Sequence, residues 1–96
     1  MKRVVKATKA TGYYYRYEVH WIAPTGKNCL HSAWNTLPEA EIAAEELLNS
    51  IFTDHHYNRD EKGFVIQNMY IEDVKTGHDV TTDKILDKGN VLLKQI

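Results

Sequence analysis

The stretch from Tyr13 to Trp21 constrains the fold more than any other part of the chain. Tyr13, Tyr15, Tyr17, Val19 and Trp21 alternate with Tyr14, Arg16, Glu18 and His20. Side chains on a strand point to opposite faces with a period of two, so the odd set forms an apolar, aromatic face and the even set a mixed polar one. The odd face is therefore the one to be buried. Pro24-Thr25-Gly26 then turns the chain, because Pro suits the second position of a turn and Gly tolerates positive φ. Asn28 to Trp34 runs back as a further strand, with Leu30 and Trp34 on one side and Cys29, His31 and Ala33 on the other. Ahead of this hairpin, Val4 to Thr8 reads as a short strand whose neighbouring Lys2, Lys6 and Lys9 suit an edge, where charge discourages pairing with other chains.

The cover for the sheet starts at Thr36-Leu37-Pro38-Glu39. Thr36 can accept from a free backbone N–H, Glu39 can reach back as the third residue of a capping box, and Pro38 occupies the first turn, where no N–H is needed. The spacing predicts a helix to about Phe52, with Ala40, Ala43, Ala44, Leu47, Leu48 and Ile51 on one stripe and Glu41, Glu45, Glu46 and Asn49 outside it. Ile42 is the one apolar residue on the polar side.

Thr53 to Gly63 is polar and reads as a loop, long enough to suggest a functional role. Phe64 to Val74 reads as strand, with Phe64, Ile66, Tyr70 and Val74 on one face and Val65, Met69 and Ile71 on the other. Lys75-Thr76-Gly77-His78 turns the chain into a very short strand at Asp79-Val80. Thr81 or Thr82 caps a C-terminal helix from near Asp83, which Gly89-Asn90 either ends or weakens. The predicted fold is a single α+β domain over residues 1–96. It consists of an antiparallel sheet of four strands, or five with Asp79-Val80, in the order β-β-β-α-β, packed on one main helix with a short C-terminal helix.

Ninety-six residues, 43% hydrophobic and 26% charged, suit one packed core and exclude a disordered or fibrous chain. No apolar run approaches the roughly 20 residues that span a bilayer, and the basic start lacks an apolar stretch after it, so a cytoplasmic protein with no membrane partner is expected. The single cysteine, Cys29, fits a reducing compartment. Net charge is −1, yet residues 1–36 carry six Lys and Arg against Glu18 alone, a net +5, and residues 37–96 carry six against twelve carboxylates, a net −6. Such asymmetry points to an electrostatic partner.

No catalytic constellation emerges, and no cofactor or metal is expected. His55-His56 beside Asp54 lacks the HxxxH or CxxC spacing that supplies further ligands, and His20 and His78 have no chelating spacing to anything. Cys29 and His31 lie two apart, but an activated thiolate needs a helix N-terminus or a cationic pocket and a third, orienting group. The candidate partner-binding residues are Tyr14, Arg16 and His20 on the even face, with Lys27, Lys6 and Arg3 on neighbouring elements. Arg and Lys pair with phosphates or carboxylates, and Tyr and His stack on bases or pack at protein interfaces.

Tyr15-Arg16-Tyr17-Glu18-Val19, the turn at Pro24-Thr25-Gly26-Lys27, and Ser32-Ala33-Trp34-Asn35-Thr36-Leu37-Pro38-Glu39-Ala40 entering a helix resemble the three-strand-plus-helix pattern of AP2-like and arm-type DNA-binding domains over residues 4–52. The resemblance implies that the exposed sheet face reads DNA, through Tyr14, Arg16 and His20. An added strand and an acidic second half depart from that pattern. The expected function is a small non-enzymatic protein that binds and modulates or inhibits a protein or protein–nucleic-acid complex, similar in general character to phage and mobile-element accessory proteins such as anti-CRISPR inhibitors. The alternatives are a nucleic-acid-binding module using the basic sheet face, and a structural homo-oligomer or homodimer formed through Ile42, the second face of Phe64–Val74 or the tail at Val91–Ile96.

Overall fold

The computed structural model describes residues 15–96, so the strand expected at Val4 to Thr8 lies outside the described residues. The element order is β1 (Tyr17–Ile22), β2 (Asn28–Trp34), α1 (Leu37–Phe52), α2 (Arg59–Asn68), β3 (Tyr70–Asp73), β4 (His78–Asp79) and α3 (Asp83–Gln95). The four strands form one sheet in the order β2-β1-β3-β4, every neighbouring pair antiparallel. The α+β class is as the alternation and the helix start predict. The order of elements is not, because a helix occupies residues read as loop and strand.

The aromatic alternation does what its period requires. Tyr17, Val19 and Trp21 turn toward the core, with Val19 fully buried, and α1 and α2 pack against that face. Gly26 takes φ of 93° in the β1–β2 turn, a conformation that L side chains rarely adopt, and its N–H donates to Ala23 O at 2.8 Å.

Strand β2 departs from simple alternation. Val19 sits opposite Ser32 and His20 opposite Leu30, so His31 is an extra residue, a β-bulge. The bulge reverses the phase of the strand. Asn28 and Leu30 share the face of His20, while Ser32 and Trp34 share the core face of Val19 and Tyr17. Leu30 and Trp34, expected on one side, therefore lie on opposite sides. Buried Ser32 is satisfied there by Trp34 Nε1, which donates to Ser32 Oγ at 2.7 Å.

Helix α1 follows its sequence signals closely. Thr36 Oγ1 accepts from Glu39 N at 3.4 Å and donates to the Glu39 carboxylate at 3.0 Å. The buried residues are Ala40, Ala43, Ala44, Leu47, Leu48 and Ile51, and Ile42 is 59% exposed. At the other end Lys62 Nζ, from α2, donates to Phe52 O at 2.9 Å. That places a cation where α1 has no basic residue of its own and where the last carbonyls carry partial negative charge.

Helix α2 replaces the expected long loop and the first half of the expected strand. Asn58 Oδ1 accepts from Glu61 N and Glu61 Oε1 accepts from Asn58 N, each at 2.9 Å, which makes a reciprocal capping box. Val65, Ile66 and Met69 are buried on a helical spacing of one and four rather than alternating. Only Tyr70–Asp73 is strand, because Met69 leaves the helix in extended conformation and Ile71 then enters the core. Helix α3 continues through Gly89, which is buried against Ile66 of α2. It packs on α1 and α2, with Thr82 Oγ1 donating to Glu41 at 2.5 Å and Lys84 paired to Glu45 at 3.3 Å. No helix among the described residues is long and apolar enough to cross a membrane.

Candidate functional site

The sheet face turned away from α1 and α2 carries the even residues of β1, Asn28 and Leu30 of β2, and Tyr70 and Glu72 of β3, as the strand registers require. Register puts Glu18 directly opposite Glu72 and His20 directly opposite Tyr70. The His20 and Tyr70 rings stack with centroids 5.0 Å apart and planes 7° from parallel. Asn28 Nδ2 donates to Tyr70 Oη at 2.8 Å, and this orients Asn28 Oδ1 toward His20 Nδ1, also at 2.8 Å.

With the amide oxygen of Asn28 facing it, Nδ1 is placed to donate, because an amide oxygen only accepts. The other nitrogen, Nε2, lies 2.8 Å from Glu18 Oε1 and 3.5 Å from Glu72 Oε1. Two carboxylates thus converge on one ring nitrogen. The His20 side chain is 14% exposed, Glu18 19% and Glu72 32%, so the cluster lies partly out of water, where charge interactions are stronger. Like charges directly opposite on neighbouring strands are also unfavourable in themselves. Glu18, His20 and Glu72 bring one ligand atom each within 4.8 Å of the others, and are the residues here that could hold a metal.

Of the residues singled out in the sequence, His20 is at the centre of this network. Arg16 is engaged elsewhere: its Nε and Nη2 donate to the two carboxylate oxygens of Asp73 at 3.1 and 2.8 Å, and its guanidinium lies 5.2 Å from the centre of the Tyr17 ring. The Arg16 guanidinium holds the Asp73 carboxyl below its ordinary range, with the Lys75 N–H helping and partial burial opposing. Lys27 is exposed beside the β1–β2 turn. Tyr14, Lys6 and Arg3 lie outside the described residues. Glu18 and Glu72 went unrecognised as partners of His20. The two-residue spacing of Glu18 and His20 on one strand face was visible in the sequence, whereas Glu72 could be placed only with β3 in register.

The other constellations resolve into local structure. Cys29 lies opposite Trp21 on the core side of β2, its Sγ 3.7 Å from Lys27 O. His31, at the bulge, has Nδ1 2.9 Å from Ser32 Oγ. Burial pushes the His31 imidazole below its ordinary pKa, with Glu46 pulling weakly the other way. In the α1–α2 loop His56 N donates to Asp54 Oδ1 at 2.6 Å, and that contact is the main reason the Asp54 carboxyl sits below its usual range. Of the residues behind the likeness to AP2-like domains, 17–52 do form two antiparallel strands followed by a helix. Comparison of the chain with protein-family models, with curated proteins and with solved structures found no match.

Proposed function

We propose that this chain is a small, non-enzymatic, cytoplasmic binding protein that engages a protein, or a protein–nucleic-acid assembly, through the sheet face opposite its helices and modulates or inhibits it. In general character it is similar to the small accessory and inhibitor proteins of phages and mobile elements. The observation that carries the reading is the polar network of Glu18, His20, Asn28, Tyr70 and Glu72, a preorganised set of donors, acceptors and a stacked ring pair on the face that α1 and α2 leave uncovered. Side chains held this way lose little conformational freedom on docking. The separation of Cys29 from His31 by the bulge, each with its own local partner, favours binding over nucleophilic chemistry. The test is affinity purification from the native host with wild-type protein and with a Lys27→Glu/Asn28→Ala variant, with and without nuclease. A partner retained by the wild type, resistant to nuclease and lost with the variant supports the reading. Equal recovery by both proteins refutes the face.

A nucleic-acid module is the second reading, favoured by the net +5 of residues 1–36. The opposed Glu18 and Glu72 weigh against this particular face as a phosphate surface. Phosphate neutralisation releases counterions, so real binding weakens steeply with salt, and no mobility shift on duplex or single-stranded DNA at low salt rejects it. A homodimer through exposed Ile42, Leu86 and Val91 is the third reading, and light scattering that reports only monomer at high concentration removes it.

A further inference from the structure

We propose that Glu18, His20 and Glu72 form a binding site for a first-row divalent transition ion such as Zn²⁺. Three separate features converge on it. The first is the set of donor separations, 2.8 Å from His20 Nε2 to Glu18 Oε1 and 3.5 Å to Glu72 Oε1. Ligands about 2.1 Å from one ion and 90–109° apart are themselves about 3.0–3.4 Å apart, so the observed separations bracket those of neighbours in one coordination shell.

The second feature is the way the imidazole is held. A ligating histidine characteristically donates its other ring N–H to a neighbouring acceptor, which fixes the ring and points the free nitrogen at the metal. Asn28 Oδ1 takes that role for Nδ1, Tyr70 fixes Asn28 in turn, and the Tyr70 ring stacks on the imidazole. None of these three contacts involves a metal-ligand atom. The third is the strand register, which sets two carboxylates directly opposite each other on β1 and β3 beside the imidazole. A divalent ion bound between them cancels their repulsion.

The donor set also selects among ions. Imidazole suits Zn²⁺, Ni²⁺, Cu²⁺ and Fe²⁺, whereas Mg²⁺ and Ca²⁺ take oxygen ligands, and Mg²⁺ keeps much of its water. With three protein ligands, at least one coordination position is left for water or for a donor from a bound partner. The site does not depend on the proposed partner, and its test uses the metal alone.

Isothermal titration calorimetry of ZnCl₂ into the purified, tag-free full chain at neutral pH is the experiment, with MgCl₂ and CaCl₂ as comparisons. One equivalent of Zn²⁺ should bind. Glu72→Gln, nearly isosteric and relieved of the carboxylate clash, should fold and bind at least about tenfold more weakly, and Asn28→Ala should lose about 10–100-fold through the freed imidazole. His55→Ala/His56→Ala should bind as the wild type does. Equal Zn²⁺ affinity in wild type and Glu72→Gln overturns the site, as does tighter Mg²⁺ or Ca²⁺ binding. Long-range ¹H–¹⁵N spectra that show His20 protonated on both nitrogens in excess Zn²⁺ overturn it as well, because a protonated Nε2 has no lone pair for a metal.

Discussion

Replacing Gly89 with alanine should stabilise the protein, although the residue is buried in the contact between α2 and α3. Gly89 lies inside α3, with a helical backbone that an L residue can adopt. A glycine in a helix interior costs about 0.8–1.0 kcal/mol relative to alanine. The question is whether a methyl group fits. A Cβ built at position 89 meets Ile66 Cγ2 at 3.7 Å and Ile66 O at 3.9 Å, which is ordinary van der Waals contact. One more buried methyl group adds up to about 0.8 kcal/mol. The expected gain is therefore about 1–2 kcal/mol, and in a domain of this size each 1 kcal/mol raises the melting temperature by roughly 4–8 °C. Thermal melts with matched urea titrations are the assay, and an unchanged urea slope would show that the native and unfolded states keep their compactness. The reasoning fails if Gly89→Ala melts at or below the wild type, because Gly89 would then be required for a closer approach of the two helices than 3.7 Å implies.

Three further outcomes follow from the geometry. Thr36→Ala and Asn58→Ala each remove a helix N-cap and should each lower stability by about 1 kcal/mol in urea titrations, with additive effects in the double variant, since they cap different helices. His31 stays neutral to a lower pH in the folded chain than its ordinary 6.5. The unfolded state therefore takes up a proton first, and stability should decline as pH falls from about 6.5 toward the folded value. Melting temperatures of His31→Gln should lack that component of the slope, and identical slopes in both proteins would contradict the assignment. Asp73 works in the same direction at lower pH. Its carboxylate is held below the ordinary 3.8 by Arg16, so its contribution is present above that value and lost as pH falls through the folded pKa. Asp73→Asn should be less stable at neutral pH and show a shallower acid limb in far-ultraviolet circular dichroism.

Local signals were legible where one force decided the structure. The period-two pattern of Tyr17, Val19 and Trp21 and the helical stripe from Ala40 to Ile51 each had a single consistent reading, and the structure follows it. Residues 59–68 had two. Phe64-Val65-Ile66 is a short apolar run that fits a buried strand or one face of a helix equally well. The deciding information lay upstream, in Asn58 and Glu61, whose spacing of three is a capping box before an apolar run. That box was masked by the polar composition around it and by Gly63 inside the helix. The site was half legible for the same reason. Glu18 and His20 share a face by local arithmetic, but Glu72 joins them through a strand pairing set by tertiary packing. Arg16 was legible as a cation and not as one already tied to Asp73, because its partner lies 57 positions away.

The bulge at His31 works as a frameshift in the two-step code of inside and outside. Everything N-terminal to it in β2 is written in one frame and everything C-terminal in the other, and the ladder with β1 continues across the join. His31 is thus the one residue of the strand whose removal would leave Asn28, Leu30, Ser32 and Trp34 on their present faces. Loss of Ala33, a single position away from Trp34, would swing that indole out of the core. A strand built this way accepts a change in length at one place only.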